Sequence, residues 1–236
     1  MSTRQSNLNI CRRRILSAVG ALVASFGCFS AHTQDIQILD DFIWARIKAT
    51  GEVVALSRSD PSFNYFDIGD LALDSLPLVE RSLDRLAVAA GLTIEHTPKK
   101  SSSIAIFHDT KVFTRLKNDK QAFRSLGIPD DIIGDLEKRL VDDIKCLTAT
   151  RSDDAQDIFL TIVLLSEKSD VHGCMLSGLI NSFGVRASEI DDKTLLSTCI
   201  LHEGRRLGFR NRDSLSGEMA GLRDRCRTKL GGLDRK

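Results

Sequence analysis

Four histidines lie beyond residue 33: His96, His108, His172 and His202. The stretch His202-Glu203-Gly204-Arg205-Arg206 begins like the zinc motif H-E-x-x-H. That chemistry needs two neutral imidazoles one helical turn apart, with the glutamate as general base. Here the second ligand position is Arg206, a permanent cation with no lone pair for a metal. The expectation is that His202 borders an apolar face and Glu203 pairs with a nearby arginine. Phosphate cradles of the form G-x-x-x-x-G-K or G-x-G-x-x-G are absent, as is the hydrolase elbow G-x-S-x-G. A serine or cysteine nucleophile would need an imidazole brought to it through space. His172 and His202 are the candidates for such a distant assembly.

Cysteine gives a second reading. Cys146, Cys174, Cys199 and Cys226 follow the N-terminal region at spacings without a C-x-x-C pair, so disulfides are expected rather than a zinc site. Four cysteines allow three pairings. Cys146–Cys174 and Cys199–Cys226 are favoured because each joins neighbouring elements.

The compartment follows from the N-terminus. Arg12-Arg13-Arg14 precedes the uncharged run Ile15 to Phe29, then Ser30-Ala31-His32-Thr33. A basic cluster, a short apolar run and small residues make a secretory signal over residues 1–33, with cleavage after Ser30 or Thr33. Arg12-Arg13-Arg14-Ile15-Leu16 resembles a twin-arginine signal with Cys11 in place of the usual Ser. Ser25-Phe26-Gly27-Cys28 makes a poor lipoprotein box. The expected location is periplasmic or secreted, a lipid-anchored form being disfavoured.

Removing residues 1–33 removes four arginines and no acid, leaving 29 basic and 32 acidic side chains, a net charge of −3. Residues 202–236 hold ten basic and five acidic side chains, so an acidic body ends in a basic segment. Phe209 is its only aromatic, so it offers no stacking platform for single-stranded nucleic acid. Contact with an anionic surface is the functional alternative to a solvated helix face.

The elements that must position these residues read as follows. Leu76, Val79, Leu83, Leu86, Ala87 and Ala90 repeat at helical spacing between Pro77 and Gly91. Residues 92–97 alternate like a strand, and Ile104–Phe107 make a short buried one. Lys99-Lys100-Ser101-Ser102-Ser103 reads as a turn between them. Residues 111–126 are helical or mixed. Pro129 opens a helix carrying Ile132, Ile133, Leu136, Leu140, Val141 and Ile144. Residues 146–150 look extended, Asp153-Asp154 turns, and Ile158–Leu165 is an interior strand. Helices follow over 173–183, over 195–207, and after Leu215. The order is helix, strands, helix, strand, helix, helix: an α+β fold, without regular βαβ alternation, with a mixed sheet against amphipathic helices.

One stretch carries a family likeness. Cys174-Met175-Leu176-Ser177-Gly178-Leu179-Ile180-Asn181-Ser182-Phe183-Gly184 follows the strong strand and is preceded by Cys146. From about Leu76 to Gly184 the chain resembles an uncharacterised family of bacterial exported domains of unknown function, relatives of the zincin metallopeptidases. The family's helix reads roughly C-L-x-E-E-L-x-Q-x-L-G-L. The Cys, the apolar positions and the Gly-Val ending match; the acids and the Gln do not. The resemblance implies a zincin-like α+β domain over residues 34–200, followed by a basic helical segment over 201–236. With Gly184 as the glycine of H-E-x-x-H-x-x-G-x-x-H, the metal ligands fall on Ser177, Asn181 and Ala187, and the general base on Gly178. None of these can do its task, which implies a fold without the enzyme. Beyond Gly184, Arg186-Ala187-Ser188-Glu189 departs from the family's acidic continuation, and no tyrosine follows; the only one is Tyr65. The expected function is an exported non-catalytic domain, without cofactor or metal, binding a protein partner or envelope component and no nucleic acid. The alternatives are an exported hydrolase with a site assembled from distant residues, and a structural envelope protein held by the basic segment.

Overall fold

A computed structural model describes residues 41, 43–44, 47, 49–50, 53–54, 62–70, 76–96, 103–154, 157–166, 171–209 and 211–231. Residues 1–33, read as a signal peptide, and residues 99–102 of the polar turn lie outside the described residues. Phe42–Lys236 form one compact unit.

The fold is α+β, with a mixed five-stranded sheet at its centre. Its strands are β3 (Ser62–Gly69), β4 (Thr93–His96), β5 (Ile104–His108), β6 (Cys146–Ser152) and β7 (Ile158–Leu165). They are ordered β4-β3-β5-β7-β6. β4, β3, β5 and β7 run parallel, and β6 closes one edge antiparallel to β7. Two short strands, β1 (Ala49–Thr50) and β2 (Val53–Val54), pair separately.

Strand β3, absent from the sequence-based reading, pairs with both β4 and β5. With α1 (Leu76–Ala90) and β4 it makes a parallel βαβ unit, so the start of the domain is more regular than its sequence suggests. The missed signal is the run Ser62-Phe63-Asn64-Tyr65-Phe66-Asp67-Ile68-Gly69, whose aromatic and β-branched residues are interrupted by polar ones.

The period of two separates the faces of the sheet. On one face Phe66, Ala105, Phe107, Ile162 and Leu164 pack against α2 (Val112–Asn118), α3 (Lys120–Arg124) and α4 (Asp130–Lys138). Helix α4 buries Ile132, Ile133 and Leu136. The apolar pattern runs on to Ile144, but the helix does not. Asp143 adopts φ 61°, Leu140 and Ile144 reach the core from non-helical backbone, and Val141 is exposed. The hydrophobic period thus overstates this helix, since a loop can fill the same core.

The opposite face is covered by α1, by α5 (Leu176–Asn181) and, behind them, by α6 (Asp192–Arg206) and α8 (Met219–Leu230). A π-helical turn, Val171–Met175, leads into α5. Val79, Leu83 and Leu86 of α1 and Leu179, Ile180 and Phe183 around α5 are buried, each side chain contributing about 1.5–3 kcal/mol. Asp191 caps α6 by accepting a hydrogen bond from the Thr194 N–H at 2.7 Å. A short α7 (Arg212–Gly217) precedes α8, where the sequence pattern suggests one helix.

Two disulfides tie this face together. Cys146–Cys174 joins edge strand β6 to the π-helical turn, and Cys199–Cys226 joins α6 to α8. The basic segment over 201–236 begins inside a helix. Helix α6 passes through Leu201 unbroken, and its disulfide anchors the basic helix to the domain. Among the described residues no helix is long and apolar enough to cross a membrane.

Candidate functional site at the carboxyl edge of the sheet

The positions aligned with the zincin motif lie on α5 and in the loop that follows it. Ser177 and Asn181 lie half-buried on α5, and Ala187 is half-buried in the loop after Gly184. Gly178 is buried against the sheet: a Cβ there would sit 2.6 Å from Thr148 Cγ2 and 3.1 Å from Val163 Cγ2. Any side chain here requires Thr148 to shift. The Asn181 Oδ1 is buried without a hydrogen-bond partner among the described residues. Among the described residues no group of three or more His, Cys, Asp or Glu side chains is arranged to hold a metal ion.

The two histidines nominated for a distant hydrolase site fare differently. His202 is buried on α6, its Nε2 3.2 Å from the Phe183 carbonyl oxygen. It borders the core rather than a cleft. Its neighbour Glu203 accepts hydrogen bonds from Arg206 Nη2 at 2.6 Å and from Lys229 Nζ at 3.5 Å. Burial works against the charge on Glu203, but the two cations outweigh it and hold its carboxyl below the ordinary value. The side chain of His172 lies outside the described residues.

The structure instead gathers His96 and His108 around Asp67. All three stand at or near the carboxyl ends of adjacent parallel strands, on the face shared with α1. His96 Nε2 is 2.8 Å from Asp67 Oδ1, and His108 Nε2 is 3.4 Å from Asp67 Oδ2. The carboxylate accepts only, so each Nε2 carries the proton and donates. His108 Nδ1 is buried and has no hydrogen-bond partner among the described residues. Gly69 makes this packing possible, because a Cβ there would lie 2.0 Å from the His108 carbonyl oxygen and 2.9 Å from its Nδ1.

Tyr65 and Glu80 complete the group. The Tyr65 ring stacks on His96 with centroids 4.5 Å apart and planes 9° apart. Its hydroxyl donates to Glu80 Oε1 at 3.4 Å. Burial, and then the charge of Glu80, push the Tyr65 hydroxyl well above its ordinary value, so it stays a proton donor. Glu80 Oε1 is also 3.8 Å from His96 Nδ1. His96 is the accessible member, with 46% of its side chain exposed against 9% for His108.

Register explains the convergence. Tyr65 pairs with His96 across β3 and β4, and Gly69 pairs with His108 across β3 and β5. Residues in register point to one face, so Tyr65, Asp67, His96 and His108 share it. No local motif announces this cluster: 29 residues separate Asp67 from His96 and 41 separate it from His108. Only the missed strand β3 could have brought them together on paper.

Chemically, Asp67 orients an exposed imidazole, an arrangement able to serve as a general base. No hydroxyl or thiol of the described residues hydrogen-bonds to His96 or His108. The four described cysteines are all consumed in disulfides. Comparison with protein-family models, curated proteins and solved structures finds no match to this chain.

Proposed function

We propose that this chain is an exported, non-catalytic domain of zincin-like fold that binds a protein partner or an envelope component. The observation that carries this reading is Gly178. The residue aligned with the general base is a glycine packed against Thr148 and Val163, where even a Cβ would lie 2.6 Å from Thr148 Cγ2. The aligned ligand positions Ser177, Asn181 and Ala187 supply no imidazole. Further support comes from the order of elements: a long helix, parallel strands, an edge strand headed by Cys146, the apolar strand β7, then the π-helical turn bearing Cys174 and α5, with a turn closing at Gly184. The two disulfides are consistent with an oxidising compartment.

The test is the metal content of the protein purified after export. Less than about a tenth of an equivalent of zinc is expected, since a structural or catalytic site would hold its ion at full occupancy. A stoichiometric metal that survives dialysis overturns the proposal.

The second reading, a hydrolase with a site assembled from distant residues, is favoured by one observation: the exposed His96 imidazole oriented by Asp67. It expects ester hydrolysis that Asp67→Asn and His96→Ala abolish. Turnover of p-nitrophenyl acetate no faster than in buffer rules that reading out.

A further inference from the structure

The chain leaves β3 and β5 in opposite directions. From β3 it passes through α1, on the face of Tyr65 and Asp67, to reach β4 on one side. From β5 it passes through α2, α3 and α4, on the face of Phe66 and Phe107, on its way to β7 on the other side. Where connections diverge like this, the carboxyl ends of two neighbouring parallel strands open a crevice that no crossover fills. A cavity of about 260 Å³ lies at that place.

Its wall is apolar and includes Ile68, Phe107, Phe123 and Leu126. Ile68 is 47% exposed here, at the carboxyl end of a central strand. The charged members are Asp109 and Arg115. Asp109 is already satisfied: its Oδ1 accepts from the Lys111 N–H at 2.7 Å, and its Oδ2 pairs with Arg115 Nη1. Arg115 is not. Its side chain is 53% exposed, and among the described residues only Nη1 is engaged. The cavity therefore combines hydrocarbon walls with a guanidinium that has donors to spare.

We propose that this crevice is a binding site for a small organic carboxylate with a hydrocarbon body. The body would lie against Ile68, Phe107, Phe123 and Leu126, and the carboxylate would take the free donors of Arg115. A planar guanidinium matches a carboxylate with two parallel hydrogen bonds, which a neutral hydroxyl cannot reproduce. The volume lies below the roughly 300–1,000 Å³ of sites for drug-sized ligands, which sets the ligand as small. The cavity lies on the face of α2, α3 and α4, bordering the His96–Asp67–His108 cluster only at Gly69, and away from α5, so it does not depend on the zincin-like reading.

The experiment is calorimetric titration of the exported protein with octanoate, and separately with octan-1-ol as the uncharged match. Octanoate is expected to saturate a single site and to bind more tightly than octanol. Arg115→Gln should weaken octanoate by about tenfold or more and leave octanol unchanged. Ala122→Phe, which fills the cavity from α3, should abolish binding of both while the circular dichroism spectrum stays that of the parent. It keeps the test decisive if Arg115→Gln unfolds by stranding Asp109. Failure of octanoate to bind, equal affinity for octanoate before and after Arg115→Gln, or undiminished binding to a folded Ala122→Phe would each overturn the proposal.

Discussion

A methyl group added at Gly178 would meet Thr148 Cγ2 at 2.6 Å, closer than real side chains approach. Alanine is the better helix former by roughly 0.5–1 kcal/mol, but overpacking a filled interface costs about 1–3 kcal/mol. The second effect wins here, because the contact is with a strand tied by a disulfide at Cys146. Gly178→Ala should lower the unfolding free energy, read from urea denaturation, by about 1 kcal/mol. Thr148→Ser removes the offending methyl and should restore much of the loss in the double variant, a coupling that a purely local helix effect would not show. Glu203 gives a prediction in pH. Its carboxyl sits below the ordinary value of 4.5 in the folded protein, so the unfolded chain binds its proton first as pH falls. Its contribution is therefore fully present above about pH 4.5 and is lost as pH falls through the folded-state value. Glu203→Gln should cost about 1 kcal/mol at neutral pH. The gap between the two unfolding curves should close on acidification; a gap that persists at pH 2 would contradict the assignment.

Among the elements, the disulfides divide their work. Cys146–Cys174 holds edge strand β6 to the turn that starts α5, while Cys199–Cys226 holds α8 to α6. Their sequence separations of 28 and 27 residues are similar, so the chain-entropy account assigns each roughly 3–4 kcal/mol. Replacing either pair by serine should cost a similar amount in denaturant unfolding. The local consequences should differ: loss of Cys146–Cys174 should speed amide exchange in β6, and loss of Cys199–Cys226 in α8. Helix α1, with its apolar stripe, was legible from sequence, as were α6, which is buried without a break from Thr194 to His202, and β7. Strand β3 was not, because its carboxyl half spends Asp67 and Gly69 on the polar cluster and breaks the strand pattern where function or packing asks for it. The Ser177–Asn181 stretch was legible as a helix. Its packing was not, since nothing in Gly178 alone says that it faces a strand. The His96–Asp67–His108 cluster is a product of parallel register, and register between distant strands leaves no trace in local spacing.

Taken over the whole molecule, charge separates a basic last segment from an acidic body, and sequence alone invites an electrostatic anchor. The folded chain spends much of that charge internally. Arg205 pairs with Asp157 with only 9% of its side chain exposed, Arg206 pairs with Glu203, and Arg223 is buried. Lys229 donates to the Ala89 carbonyl at 3.4 Å and reaches Glu203. These contacts dock α8 onto α1 and α6. A surface anchor needs cations that can approach phosphates together, each contributing about 1 kcal/mol near an anionic leaflet. With four of the segment's cations committed to the domain and a net charge of −3 beyond residue 33, the remaining attraction is opposed by the body. At about 0.15 M salt, where screening extends over roughly 8 Å, the exported protein should remain in the supernatant when vesicles containing phosphatidylglycerol are sedimented. Binding that survives this salt, and that falls when Arg225 and Arg227 on α8 are replaced by glutamine, would instead support an envelope protein held by its basic segment.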